Sequence, residues 1–135
     1  MAVGASLLII NRDREILLLL RDDKPQIKYP GMWDIPGGNL EGDETPAECI
    51  RREIEEELGL AISNYELFQV KRFPDRLEYT FWMEADLDIA GITLTEGQKL
   101  AWFSEEQAAS TELAFGFNAT ISAFFEKAPF LSRRK

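Results

Sequence analysis

No histidine occurs anywhere in this 135-residue sequence, and cysteine occurs once, as Cys49. A single cysteine excludes an intrachain disulfide, and the two counts together exclude zinc centres built from His and Cys. Without histidine the commonest general base is missing, so acid–base work falls to carboxylates, lysine or tyrosine. Cys49 reads as a small packed hydrophobe. No apolar run approaches the roughly 20 residues of a membrane span. The N-terminus, Met-Ala-Val-Gly-Ala-Ser-Leu-Leu-Ile-Ile, lacks the basic flank and long apolar run of a signal peptide. A cytoplasmic location is therefore expected. Positive charge is also scarce: 15 Lys and Arg face 24 Asp and Glu, a formal net charge of −9. That balance argues against nucleic acid and anionic membranes as partners, since both are polyanions. Internal repeats, low-complexity tracts and linkers are absent. Residues 1–135 read as a single domain, long enough to bury a core without staples.

What is present centres on Gly37 to Leu60. Its second half predicts a helix: Thr45 caps it, Pro46 suits the first helical position, and Glu48 completes a capping box. Gly59 supplies the stop, because a residue tolerant of positive φ closes a helix cheaply. Ala47, Ile50, Ile54 and Leu58 fall on one stripe, the expected core face. Glu53, Glu56 and Glu57 lie beside it within an arc of roughly 100°. Carboxylates at such spacing repel one another unless something positive sits between them. Clustered glutamate oxygens suit a hard cation, Mg²⁺ or Mn²⁺, which also reconciles a −9 chain with an anionic substrate.

The spacing carries more than a helix. A glycine at Gly38, then five residues to Glu44, then seven to Arg52-Glu53-Ile54-x-Glu56-Glu57-x-Gly59-Leu60 resembles the full Nudix signature, with every defined position filled. The resemblance implies an α/β/α sandwich, in which a mixed sheet is flanked by helices. It also implies Mg²⁺- or Mn²⁺-dependent hydrolysis of a nucleoside diphosphate joined to a further group. Carried over to this chain, it makes Glu56 and Glu57 metal ligands and Glu53 a ligand or the catalytic base. Gly37 offers its carbonyl to the metal, and Glu44 with Arg52 forms an orienting ion pair within the catalytic machinery.

Around the signature, residues 2 to 10 and 15 to 21 predict a hairpin of well-buried strands, and Met32 to Ile35 a short strand broken by Pro36-Gly37-Gly38. Residues 62–73 and 77–87 predict two longer strands. In the second, Leu77, Tyr79, Phe81, Met83 and Ala85 alternate with Glu78, Thr80, Trp82, Glu84 and Asp86, a half-exposed pattern. A strand at Leu100 to Phe103, a short helix capped by Ser104 and Gln107, and a helix at 118–127 complete the chain. The tail from Ser132 to Lys135 is expected to fray.

Outside the signature the chain resembles the MutT-like branch, nucleoside triphosphate pyrophosphohydrolases acting on nucleotides, oxidised ones included. That resemblance implies an extra metal-binding carboxylate at Glu96, substrate contacts at Arg21 and Arg76, and a purine-reading amide at Asn118. Asn118 is equally a residue type that caps helices. Asn39 stands where the branch has lysine, and Ile35 where it has phenylalanine. The expected partner is a small nucleotide, acted on by a monomer or homodimer. The aromatic-rich strand around Trp82 offers a dimer surface. Cleavage of ADP-ribose, a nucleotide sugar or a dinucleoside polyphosphate, and non-catalytic nucleotide binding, are the alternatives.

Overall fold

The computed structural model describes residues 2–134, and side chains as far as Leu131. Its strands are β1 (Ala2–Ile10), β2 (Ile16–Leu20), β3 (Trp33–Asp34), β4 (Gly37–Asn39), β5 (Glu66–Phe73), β6 (Arg76–Glu84) and β7 (Lys99–Phe103). Its helices are α1 (Pro46–Leu58), α2 (Glu105–Ala109) and α3 (Phe117–Lys127). Short 3-10 turns cover Ile89–Gly91, Ala114–Gly116 and Pro129–Arg134. The tail expected to fray thus continues as 3-10 helix to Arg134, and Lys135 lies outside the described residues.

All seven strands join one mixed sheet, ordered β3-β2-β1-β6-β5, with β4 added on β1 and β7 on β2. β1 and β6 run parallel over nine paired residues, and the other pairings are antiparallel. Because strand side chains alternate faces, the continuous apolar runs of β1 and β2 feed two cores at once. Leu8, Ile10, Ile16 and Leu18 pack with Phe117, Ile121 and Phe124 of α3 on one face. Leu7, Ile9 and Leu17 pack with Cys49, Ile50, Ile54 and Leu58 of α1 on the other. The result is the helix–sheet–helix sandwich expected from the sequence. No helix among the described residues is long and apolar enough to cross a membrane.

Three local expectations need correction. Ala47 is exposed and Cys49 takes its place in the α1 core face. The segment at Gly37–Asn39 is not a loop but β4, paired Ser6↔Gly37, Ala5↔Gly38 and Gly4↔Asn39. Gly37 holds φ 154°, and a Cβ there would stand 2.1 Å from the Ala5 carbonyl oxygen, so only glycine lets the two backbones meet. The third correction concerns β6. Its apparently polar face, Arg76, Glu78, Thr80 and Trp82, is buried. Sandwiching between two helical layers leaves β6 no solvent face, so period-two alternation marks two interiors rather than inside and outside. Trp82 packs against Phe124 with ring centroids 6.0 Å apart and is not available as a dimer surface.

Candidate active site

Helix α1 starts and stops as its sequence dictates. The Thr45 side chain accepts from the Glu48 N–H, the Glu48 carboxylate accepts from the Thr45 N–H, and Gly59 closes the helix at φ 68°. This fixes the rotation of the acidic face, which points toward β4. Arg52 sits at its centre. Its guanidinium donates twice to Glu44, from Nε at 2.5 Å and Nη2 at 3.0 Å, and its Nη1 donates to Glu53 at 2.7 Å and Glu56 at 3.1 Å. It also reaches the Asn39 carbonyl at 3.2 Å, tying helix to strand. The Arg52 hydrogen bonds hold the Glu44 carboxyl down at about 2. In return, Glu44 first among its partners pushes the Arg52 pKa up, so this cation does not titrate. Arg52 is thus the positive centre that the sequence spacing demanded.

Glu53 and Glu57 lie deeper. The Glu53 carboxylate fits under Gly38, where a Cβ would stand 2.4 Å from Glu53 Cδ. Burial raises its pKa, opposed by Arg52. Burial pushes Glu57 further, up to about 8, with the charges of Glu53, Asp34 and Glu96 adding to the rise. Glu57 Oε1 is buried without a hydrogen-bond partner. Glu56 remains exposed. Among the described residues no three acidic groups converge closely enough, as they stand, to hold an ion. The donor set nonetheless fits one. An orphaned, desolvated carboxylate oxygen, all-oxygen neighbours and no histidine or available thiol are what a hard divalent cation requires. Cys49 contributes nothing to such a set, since burial pushes its thiol up to about 12.

β4 also forms one wall of a cavity of about 330 Å³. Gly37, Gly38 and Asn39 line its end near α1, and Phe115 and Phe117 line it from the start of α3. Arg21 and Arg76, the two substrate contacts the resemblance implies, both line it, but neither stands alone. Arg21 donates from Nη1 to Asp34 at 3.0 Å and from Nε to the Lys28 carbonyl at 2.9 Å. Arg76 donates to Glu78 at 2.8 Å, to Asp75 at 3.1 Å and to the Phe115 carbonyl at 3.0 Å. Its guanidinium lies among the rings of Phe73, Phe115 and Phe117. Phe115 holds a left-handed φ of 59°, and Tyr29, at φ 51°, rests against it with centroids 4.6 Å apart. Two aromatic residues in this sparsely populated region thus meet across two loops, and Phe115 lines the cavity.

Asn118 does not join this group. Its Oδ1 accepts from the Leu113 N–H at 2.9 Å, and its Nδ2 donates to the Thr111 and Ala108 carbonyls at 2.7 and 3.3 Å. Both amide hydrogens and the amide oxygen are engaged by the α2–α3 connection. It is not among the cavity-lining residues, and it is not the helix cap, which is Gly116. The amide to which the resemblance gives a purine-reading role is thus engaged by the protein's own backbone. Glu96 contributes its charge near Glu57, from a loop anchored by the Gly97 N–H donating to Asp22 at 3.3 Å.

Two carboxylates escaped the sequence reading. Asp34 and Glu78 are buried at the cavity wall beside their arginines. Burial pushes Asp34 up to about 6 and raises Glu78 as well, in both cases against the pull of the paired arginine. The signal for Asp34 was an acid inside the apolar stretch Met32 to Ile35. Glu78 carried no local signal, since its strand position looked like a wet face.

The chain's residues 1–124 match the family model described as the NUDIX domain. It is 32% identical over 119 residues to the CTP pyrophosphohydrolase of Escherichia coli strain K12, covering 86% of each. It is 33% identical over 85 residues to that organism's 8-oxo-dGTP diphosphatase, covering 61% of this chain and 62% of the relative. In fold it matches MutT from Aliivibrio salmonicida and Vibrio cholerae with a TM-score of 0.77, at 23% identity over 93% of this chain and 98% of that one. With a complete signature running from β4 through α1 and a family match spanning most of its length, the chain belongs to the Nudix family of hydrolases.

Proposed function

We propose that this protein is a divalent-metal-dependent pyrophosphohydrolase, converting a nucleoside triphosphate, oxidised or not, to the monophosphate and pyrophosphate. The observation that carries the reading is the cavity: it begins at the β4 backbone above the acidic face of α1 and ends between Arg76 and Phe115. That span suits a phosphate chain at one end and a base at the other. The volume of about 330 Å³ lies at the lower end of small-ligand sites.

Glu53, Glu56, Glu57, the Gly37 carbonyl and Glu96 would hold Mg²⁺ or Mn²⁺. Such an ion screens phosphate charge and lowers the pKa of bound water. The residues themselves do the rest. Glu53, raised by burial toward the working pH, takes the proton of the attacking water. The water oxygen forms a new bond to phosphorus, the anhydride P–O bond breaks, and its electron pair leaves with the departing phosphate group. Arg52 holds Glu53 by one hydrogen bond while Glu44 holds Arg52 by two, which fixes the base against α1. Arg21, Lys28 and Arg76 bring donors to the cavity wall, each arginine held in place by a neighbouring carboxylate.

The test is incubation with a panel of nucleoside triphosphates, ADP-ribose and dinucleoside polyphosphates, with Mg²⁺ or Mn²⁺ and product identification. Monophosphate plus pyrophosphate from triphosphates is expected. Release of orthophosphate alone, or turnover of ADP-ribose in preference to every triphosphate, would sink this reading.

A further inference from the structure

Glu96 lies in an exposed loop whose backbone is pinned on both sides of it. On one side the Thr95 hydroxyl donates to the Glu56 carbonyl of α1 at 2.9 Å. On the other the Gln98 N–H donates to the Leu20 carbonyl at 2.8 Å, extending the β2–β7 ladder beyond its Leu20↔Lys99 pair. The Gln98 side chain also donates to the Arg21 carbonyl at 2.9 Å, and the Asp22 carboxylate accepts from the Gly97 N–H at 3.3 Å. Gly97 permits this approach. At φ 88° it lies so close to β2 that a Cβ would meet Leu19 Cδ2 at 2.8 Å. Surface loops are ordinarily more mobile than the elements they join, and a mobile loop loses entropy when one of its residues captures a ligand. Here the pins leave chiefly the Glu96 side chain to be ordered. Its charge already acts on Glu57, adding to the rise in pKa that burial begins.

We propose that Asp22, Thr95 and Gln98 are positioning residues: they strap the loop between α1 and the end of β2 so that Glu96 is presented to a cation bound beside Glu57. The inference rests on the divalent-metal reading of the α1 face. Each of the three acts through Glu96 rather than on the cation itself. The strap binds at the two elements that already carry site residues, since Glu56 precedes Glu57 on α1 and Arg21 lines the cavity from β2. Its contribution is preorganisation, which is read as metal affinity.

The test measures Mn²⁺ binding to the whole protein by calorimetry, without nucleotide, in about 0.15 M salt to damp long-range charge effects. Thr95→Val keeps the shape and loses the donor, and Asp22→Ala loses the acceptor. Each should weaken Mn²⁺ binding by about 3- to 10-fold, the worth of one intramolecular hydrogen bond. Asp22→Asn keeps an acceptor for the Gly97 N–H and loses the charge, so its affinity should stay within about twofold of wild type. In a Glu96→Gln background neither Thr95→Val nor Asp22→Ala should weaken binding further, because the strap then has no carboxylate to deliver. Bonds that serve stability alone would lower the melting temperature and leave Mn²⁺ affinity unmoved, or lower affinity equally with and without Glu96. Either result overturns the proposal. So does Asp22→Asn matching Asp22→Ala, which would make Asp22 a charge rather than a pin. Mn²⁺ binding that Glu96→Gln leaves unchanged overturns the strap alone and spares the hydrolase, whose turnover of triphosphates is scored separately. A wild type that binds no Mn²⁺ at millimolar concentration overturns the strap and the metal reading together.

Discussion

Glu57→Gln should raise the stability of the metal-free protein and abolish its stabilisation by metal. Burial lifts the Glu57 carboxyl from 4.5 to about 8, with the Glu53 charge adding to the effect. At roughly 1.4 kcal/mol per pKa unit, the ceiling is about 4–5 kcal/mol. Local relaxation and water entry at a helix surface leave about 1–3 kcal/mol of that. The sign follows from proton counting. Between pH 4.5 and about 8 the folded form keeps a proton that the unfolded chain has lost. Wild-type stability therefore falls as pH rises through that window, and above it the penalty is complete. Glutamine has the same shape and no charge, so its stability is flat over the same range as far as this site is concerned. In chelator at pH 8 the variant should melt about 4–10 °C higher, given a few degrees per kcal/mol for a chain of this size.

Millimolar Mg²⁺ or Mn²⁺ should then reverse the order. A cation that binds only the folded form stabilises it by mass action, and the buried Glu57 carboxyl is the group with the most to gain from one. Because Glu53 and Glu57 interact, the titration observed belongs to the pair, and Glu57→Gln also eases the ionisation of Glu53. Thermal melts of both proteins from pH 5 to 9, with chelator and with metal, contain the whole test. A variant melting at or below wild type in chelator at pH 8 refutes the desolvation argument. Equal gains from metal in both proteins refute Glu57 as a ligand.

Gly38→Ala places a methyl 2.4 Å from Glu53 Cδ and must displace that carboxylate. Turnover should fall by roughly 10- to 10²-fold, the cost of about an ångström of misplacement, with the melting temperature little changed; full turnover would show that Glu53 is not held in place there. Asn118→Ala removes three hydrogen bonds to the α2–α3 connection and should cost about 1–3 kcal/mol in urea unfolding, with the ranking of nucleotides by kcat/KM unchanged. A changed ranking would restore its place in base recognition. Arg52→Gln frees Glu44, whose carboxyl is held at about 2, so the acid-side loss of stability between pH 4.5 and 2 should shrink in pH-dependent melts. Activity should fall by about 10- to 10²-fold, as for other residues that orient a metal's ligands.

What the sequence made legible was local. Thr45, Pro46, Glu48 and Gly59 act within one helix, and their caps form as their side-chain chemistry requires. The acidic arc of α1 follows from the same geometry, and so does the need for a cation within it, which Arg52 meets. What was not legible depended on partners distant in the chain. Gly37–Asn39 becomes a strand only because β1 lies alongside, and the glycine that looked like a breaker permits that approach. Asn118 resembled a base reader in type and position, but its amide is consumed by carbonyls and an N–H five to ten residues away.

The sharpest failure was the polar face of β6, and its physical cause links the fold to the site. A sequence of alternating character implies one dry and one wet face only when the sheet is covered on one side. Here α1 covers one face and α2 with α3 the other, so Arg76 and Glu78 are charged residues placed in an interior. Apolar residues would fill that space at lower cost, since an ion pair removed from water seldom repays its desolvation. Asp34 with Arg21 repeats the arrangement on β3, and Phe115 adds a side chain held in a left-handed conformation. Each breaks a rule that the rest of the chain obeys, and all five line one cavity. Such violations concentrate where folding alone does not choose the residue. Their convergence beside the α1 carboxylates argues that the cavity, like the helix, is held for a ligand.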